Sequence, residues 1–287
     1  MLFEWFIQPF QYEFMQRALL AGLSVGLVCA ILSCFLVLKG WSLMGDAISH
    51  AVLPGIVLSY ILGIALPIGA FISGFLCALL TGFIKNNSRL KEDTILGVVY
   101  SGMFALGLVL FTKIETNQHL MHILFGNMLG INDNEYIQTI VLSLTIFAIV
   151  VIFSKQLLLY CFDSSHARVV GLPVHFIHYS LLIMISLAVV AAIQAVGVVL
   201  VVALLISPGI TAFVLVKNFW VMIFIAIIFS LTTICLGILI SFHIDGATGA
   251  CIVLLQAFCF CCVLLFNRLK INKNTMKSKQ QKQVFSH

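Results

Sequence analysis

Apolar runs of about 20 residues follow one another almost from end to end of this chain, and few folds admit that pattern. A run of that length crosses the hydrocarbon core of a bilayer as one helix. In lipid every backbone amide must be satisfied inside the protein, which a helix does within its own segment. The runs predict spans at about 18–38, 44–63, 66–84, 94–112, 137–157, 178–196, 198–216, 219–241 and 247–266. Residues 178–216 form one apolar stretch of 39 residues. Division at Gly197 gives two spans, and one span with a re-entrant helix fits the stretch almost as well, so the count is eight or nine. With 62% hydrophobic and only 9% charged residues, the composition excludes a soluble domain. The expected fold is all-α and polytopic, with a transmembrane domain over 1–266 and a basic cytoplasmic tail over 267–287.

Basic residues set the orientation, because cytoplasmic loops carry the excess of lysine and arginine. A cytoplasmic C-terminus puts Lys39, Lys85, Arg89, Lys91, Lys155, Arg168, Lys217 and the six basic residues from Arg268 to Lys282 inside. That leaves only Arg17 and Lys113 outside, and nine spans then place the N-terminus outside. The first residues carry no basic region leading to a cleavage site; Trp5 and its aromatic neighbours are expected at the membrane interface. The tail, rich in lysine, is expected to be disordered. It supplies much of the net charge of +5, which therefore reports topology and not nucleic-acid binding. Of nine cysteines, Cys29, Cys34, Cys77, Cys235 and Cys251 fall inside spans, where the thiol packs as a small apolar group. Cys259, Cys261 and Cys262 crowd the last span with no zinc-site spacing.

Function in such a chain is carried where the apolar pattern is interrupted. The second span holds Asp46 and His50, four residues apart and so on one helical face, followed by Pro54-Gly55. An ionisable group at membrane depth is expensive and ordinarily faces a cavity or a partner group. A carboxylate beside an imidazole is a donor pair for a divalent transition metal. Counted along a helix from Lys39, Asp46 lies about 10 Å and His50 about 16 Å into the membrane. A metal path and a buried structural Asp–His hydrogen bond both fit this pair, the path better because charge, spacing and a proline kink coincide.

Further interruptions suggest gates and docking points. Pro208-Gly209, in the run Ala203–Ala212, marks a second helix break, either a gate or a kink packed on a neighbour. The outer loop 113–136 carries Glu115, His119 and His122, and Asp245 lies at the outer end of the last span. These four are candidates for outer metal capture, against solvated loop residues for the first three and a helix cap for Asp245. On the cytoplasmic side, Phe162-Asp163-Ser164-Ser165-His166-Ala167-Arg168 leads to Gly171 and Pro173. N-cap residues at its start and Gly then Pro at its end predict a short helix, which fits a groove on a soluble partner or lies along the headgroups.

Together these pieces resemble the membrane permease subunit of bacterial ABC importers for manganese, iron and zinc. The resemblance covers about 15–266 and rests on Gly45–Gly55, Gly97–Gly107, His122–Asn127 and Ala203–Ala212. It implies a permease in the bacterial cytoplasmic (inner) membrane that pairs with a second permease subunit, the same or related. It also implies a cytoplasmic ATP-binding subunit and an extracytoplasmic metal-binding protein as partners. Asp46 and His50 fall to the metal path, and the segment containing Phe162, Asp163, His166, Ala167, Arg168 and Gly171 to coupling with the ATPase. The chain departs from the family pattern at Ser164-Ser165, where Pro-Glu is common, at Ala247, where Pro is frequent, and at Gly209-Ile210, where Ala-Ala is usual.

The absence of a G-x-x-x-x-G-K-[ST] loop implies that the chain does not itself hydrolyse ATP, and no H-E-x-x-H or G-x-S-x-G marks a membrane hydrolase. The chain is expected to be no enzyme and to hold no permanent cofactor; its metal is cargo. The donor pair suits Mn2+ or Fe2+ and is compatible with Zn2+. The alternative is a proton-coupled secondary transporter of divalent cations, in which the same pair exchanges metal for protons.

Overall fold

A computed structural model describes residues 8–41, 43–113 and 130–284. Among these residues every regular element is helical, and nine helical segments are long and apolar enough to cross a membrane. After a 3-10 turn at Gln8–Gln11 come α1 (Glu13–Lys39), α2 (Met44–Ala51), α3 (Leu53–Leu62), α4 (Leu66–Asn87) and α5 (Glu92–Phe111). Then follow α6 (Asp133–Phe162), the short α7 (Ser164–Val169), α8 (Val174–Val196), α9 (Val198–Leu215), α10 (Phe219–Ile244) and α11 (Thr248–Val284).

The axis of the molecule is α1, packed by α6, α8, α9 and α10. Its small residues Ala18, Ala21, Gly22, Gly26 and Ala30 are all buried, which lets neighbouring backbones approach. At Gly26 a Cβ would collide with Ile234, and Ser230 of α10 donates to the Gly26 carbonyl at 3.0 Å. The helices α3, α4 and α5 pack on one another with α2 at their edge, and α2 joins them to α8 and α9. The last helix, α11, packs on α9 and α10 and is the least buried span.

The long apolar stretch does divide at Gly197. Its φ of 80° and ψ of 164° are open to glycine and strained for other residues, so the chain leaves α8 and re-enters a helix one residue later. Two expectations are corrected. The tail stays helical, since α11 runs to Val284; its lysines and glutamines are good helix formers, and cations suit a helix C-terminus. And α9 is not broken: it passes through Pro208. Gly209 there lets α9 lie against α1, where a Cβ would be 2.6 Å from the Ser33 carbonyl oxygen.

The second span is made of two helices. Gly40 ends α1 with its N–H on the carbonyls of Leu36 and Val37, and α2 begins afresh at Met44. Depth counted along one helix from Lys39 therefore does not apply, and Asp46 lies in the first turn of α2. The joint to α3 falls at Val52, with Pro54 in the first turn of α3, where a missing N–H costs least. Gly55 does not break a helix either. A Cβ on it would run into the backbone of Gly69, so it is the contact point of α3 with α4.

Candidate functional site

Asp46 and His50 face the same way from α2, with Asp46 Oδ1 3.3 Å from His50 Nε2. Neither is sealed in the core: the side chains are 28% and 36% exposed. The His50 ring is held from the far side by α5. It lies nearly parallel to Tyr100, with centroids 6.1 Å apart, and meets Phe104 edge-on at 5.3 Å. Those two aromatics are four residues apart, hence on one helical face. Ser49, the buried neighbour of His50 in the chain, donates back to the Gly45 carbonyl at 2.7 Å and is spent on its own helix. Ser73 of α4 donates to the Ala51 carbonyl at 2.6 Å and ties down the end of α2.

The pair opens onto a cavity of about 510 Å3 between α2, α9 and α11. Its wall is mainly apolar, from Val198, Val202, Ile206, Val253 and Phe260, with Ser207 and Gln256 as polar members. Among the described residues no group of three His, Cys, Asp or Glu is placed to hold a metal. One chain thus offers a cation a carboxylate oxygen and an imidazole nitrogen, a mixed set suited to Mn2+, Fe2+ and Zn2+.

The other predicted positions are dispersed. Glu115, His119 and His122 lie outside the described residues. Asp245 does not start the last span; it closes α10 in the left-handed region at φ 54°, with its N–H on the Ser241 carbonyl. Ser241 makes that corner, donating to the Gly246 carbonyl at 2.7 Å and lying 2.8 Å from the Thr248 hydroxyl. Two acids in the first turn of α6 are structural. Asp133 forms an ion pair with Arg17 of α1, and Glu135 receives the Asn132 N–H at 3.4 Å as the capping box of α6.

The predicted short helix is present as α7. Asp163 caps it, its Oδ1 accepting the N–H groups of Ser165 at 2.8 Å and His166 at 3.0 Å. Those bonds favour the carboxylate, the His166 one most, and hold its pKa below the ordinary 3.8. At the other end Gly171, at φ 85°, lets Leu172 bond back to the Ala167 carbonyl at 3.1 Å. Ala167 is fully buried, whereas His166 and Arg168 are exposed and Phe162 and Val169 are 80% and 85% exposed. Behind α7 the last turn of α6 is anchored: the Tyr160 hydroxyl is 2.7 Å from His178 Nδ1, and Lys39 Nζ lies 4.0 Å over the Tyr160 ring. Phe162 and Val169 thus project at the two ends of a capped short helix whose other exposed side chains are polar or charged.

Residues that the sequence reading did not single out are Tyr100, Phe104 and Gln256. Gln256 carries the clearer signal, being the one amide in the apolar run 250–266.

With this geometry in view, the relatives are informative. The model of the family described as "ABC 3 transport family" matches residues 11–267. The chain is 57% identical over 284 residues to the chelated iron transport system membrane protein YfeD of Yersinia pestis, covering 99% of this chain and 96% of that one. To the manganese transport system membrane protein MntB of a Synechocystis strain it is 46% identical over 256 residues, 89% of this chain and 84% of the other. A solved structure of PsaBC from Streptococcus pneumoniae, in complex with Fab, superposes with a TM-score of 0.82 at 41% identity, over 92% of this chain and 95% of that one. The chain belongs to the ABC 3 transport family.

Proposed function

We propose that this chain is the permease subunit of an ATP-driven importer that carries divalent transition-metal cations, iron and manganese foremost, across the bacterial cytoplasmic membrane. The observation that carries the reading is the Asp46–His50 pair, side by side on α2 and open to a cavity between spans. Relatives named for iron and manganese transport support the choice of cargo. Family membership favours ATP as the energy source over a proton gradient.

In this reading the pair receives a cation from an extracytoplasmic metal-binding protein. With two protein donors per chain, the cation keeps water or gains donors from a second permease subunit facing the cavity. The capped α7, with Phe162 and Val169 projecting, docks on a cytoplasmic ATP-binding subunit and passes its movement to the spans. The chain does no chemistry of its own, and the cation is its cargo.

The test is uptake of radiolabelled Mn2+ by metal-transport-deficient bacteria carrying the complete system, at matched permease abundance. Asp46→Asn keeps the size of the side chain and removes its charge. Uptake should fall to the background seen when the ATPase is deleted. Wild-type uptake by the Asp46→Asn permease would return the pair to a structural role, and uptake independent of the ATPase would favour the proton-coupled alternative.

A further inference from the structure

Gln256 lies in α11, across the cavity wall from the helix that carries Asp46 and His50, and is 1% exposed. A buried amide needs partners for both of its ends, or it costs free energy. Its orientation follows from its neighbour Thr233 on α10. The Thr233 hydroxyl lies 2.8 Å from the Phe229 carbonyl and 3.0 Å from the Ser230 carbonyl. Its single proton is committed to those backbone oxygens, so towards Gln256 it only accepts. Gln256 must therefore turn its NH2 group to Thr233, at 3.2 Å, and its Oε1 the other way. Among the described residues that oxygen has no hydrogen-bond partner, and neither has the Ser207 hydroxyl oxygen, buried on α9 beside the same cavity.

Two residues that line the cavity holding the acid–imidazole pair thus each carry a buried, unpartnered oxygen, in a wall whose other members are apolar. Both are neutral and can accept a hydrogen bond; the Ser207 hydroxyl can also donate one. Water bound to a divalent cation is a strong hydrogen-bond donor, and a cation with two protein donors retains such water. We infer that Gln256, seconded by Ser207, is a positioning residue of the metal path: its Oε1 accepts hydrogen bonds from water carried by the cation that Asp46 and His50 hold. Thr233 sets the amide for this task, and α11 thereby becomes the wall that steers the hydrated ion. This inference rests on the metal-path reading of Asp46 and His50.

The experiment measures initial rates of radiolabelled Mn2+ uptake in the complete system at matched permease abundance, for wild type, Gln256→Met, Gln256→Glu and Asp46→Asn. Methionine keeps the length and removes the oxygen; glutamate restores oxygen acceptors and adds charge. Gln256→Met should lower the rate about tenfold, the scale of one hydrogen bond to a charged partner. Gln256→Glu should retain more activity than Gln256→Met. A packing role predicts the opposite order, since an apolar residue is tolerated in a buried wall and a carboxylate is not. Wild-type rates in Gln256→Met, or Glu worse than Met, overturn the inference while a dead Asp46→Asn leaves the metal path standing. An active Asp46→Asn removes the path and the inference together. Should Gln256→Glu fail to accumulate, Gln256→His takes its place, because imidazole also keeps an acceptor.

Discussion

A methyl group added at Gly209 would meet the backbone of Ser33 at 2.6 Å, and backbone inside a helix cannot give way as a side-chain tip can. Gly209→Ala should destabilise the purified permease by about 1–3 kcal/mol, read as a lower Tm in detergent. Gly102 in α5 has nothing within 4 Å of the same position. There the alanine variant should be neutral or up to about 1 kcal/mol more stable, through helix propensity alone. Equal stability losses in the two variants would remove the crossing of α1 and α9 as the explanation. Glycine's two uses explain what could be read in advance. Pro208-Gly209 looks like a break because both residues disfavour helix, but whether a glycine serves as a bend or as a gap is decided by the neighbouring helix, which the local sequence does not name. The Asp46–His50 pairing was legible because a spacing of four fixes a shared face. The ring partners Tyr100 and Phe104 were not, since an aromatic in an apolar span is ordinarily packing.

Among the elements, α7 was the most legible, because its signals are local: a capping acid, two serines, and a glycine before a proline. Its stability is equally local. Asp163→Ala should release the first turn and lower the amount of ATP-binding subunit that co-purifies with the permease, whereas Asp163→Asn, also a good N-cap, should retain it. Loss in both variants would mean that the charge, and not the cap, serves docking. The pH dependence has a definite sign. The folded carboxyl titrates below 3.8, so its stabilising contribution is complete above that value and is lost as pH falls through the lower folded pKa. Co-purification should therefore be insensitive to this group between pH 8 and about 5. The division of the second span into α2 and α3 was less visible. Proline announces a disturbance, but the start of α2 at Met44 depends on the turn at Gly40 and on packing against α8 and α9.

For the whole molecule, an apolar run reports a span whatever it packs against, so span number and type were readable while the order of packing was not. The ambiguity at 178–216 lay in one residue whose backbone angles, not its hydropathy, divide the helices. The polarity of the tail predicts disorder, yet its helix runs to Val284, because polarity speaks of solvent exposure and says little about helicity. The charge bias predicts a cytoplasmic C-terminus: a reporter active only in the cytoplasm, fused after His287, should work, and one active only outside should not. The reverse result would invert the topology and move α7 away from any ATPase. The helix α2 is an eight-residue rod about 12 Å long, tied to α4 through Ser73 and continued towards α3 by the hydrogen bonds Val52 makes on either side. Asp46 and His50 both ride on it, so any displacement of the rod carries the two side chains together. In the importer proposed above, grip and release are therefore movements of one rod, and backbone movement alone cannot leave an ion hanging from one jaw of the clamp.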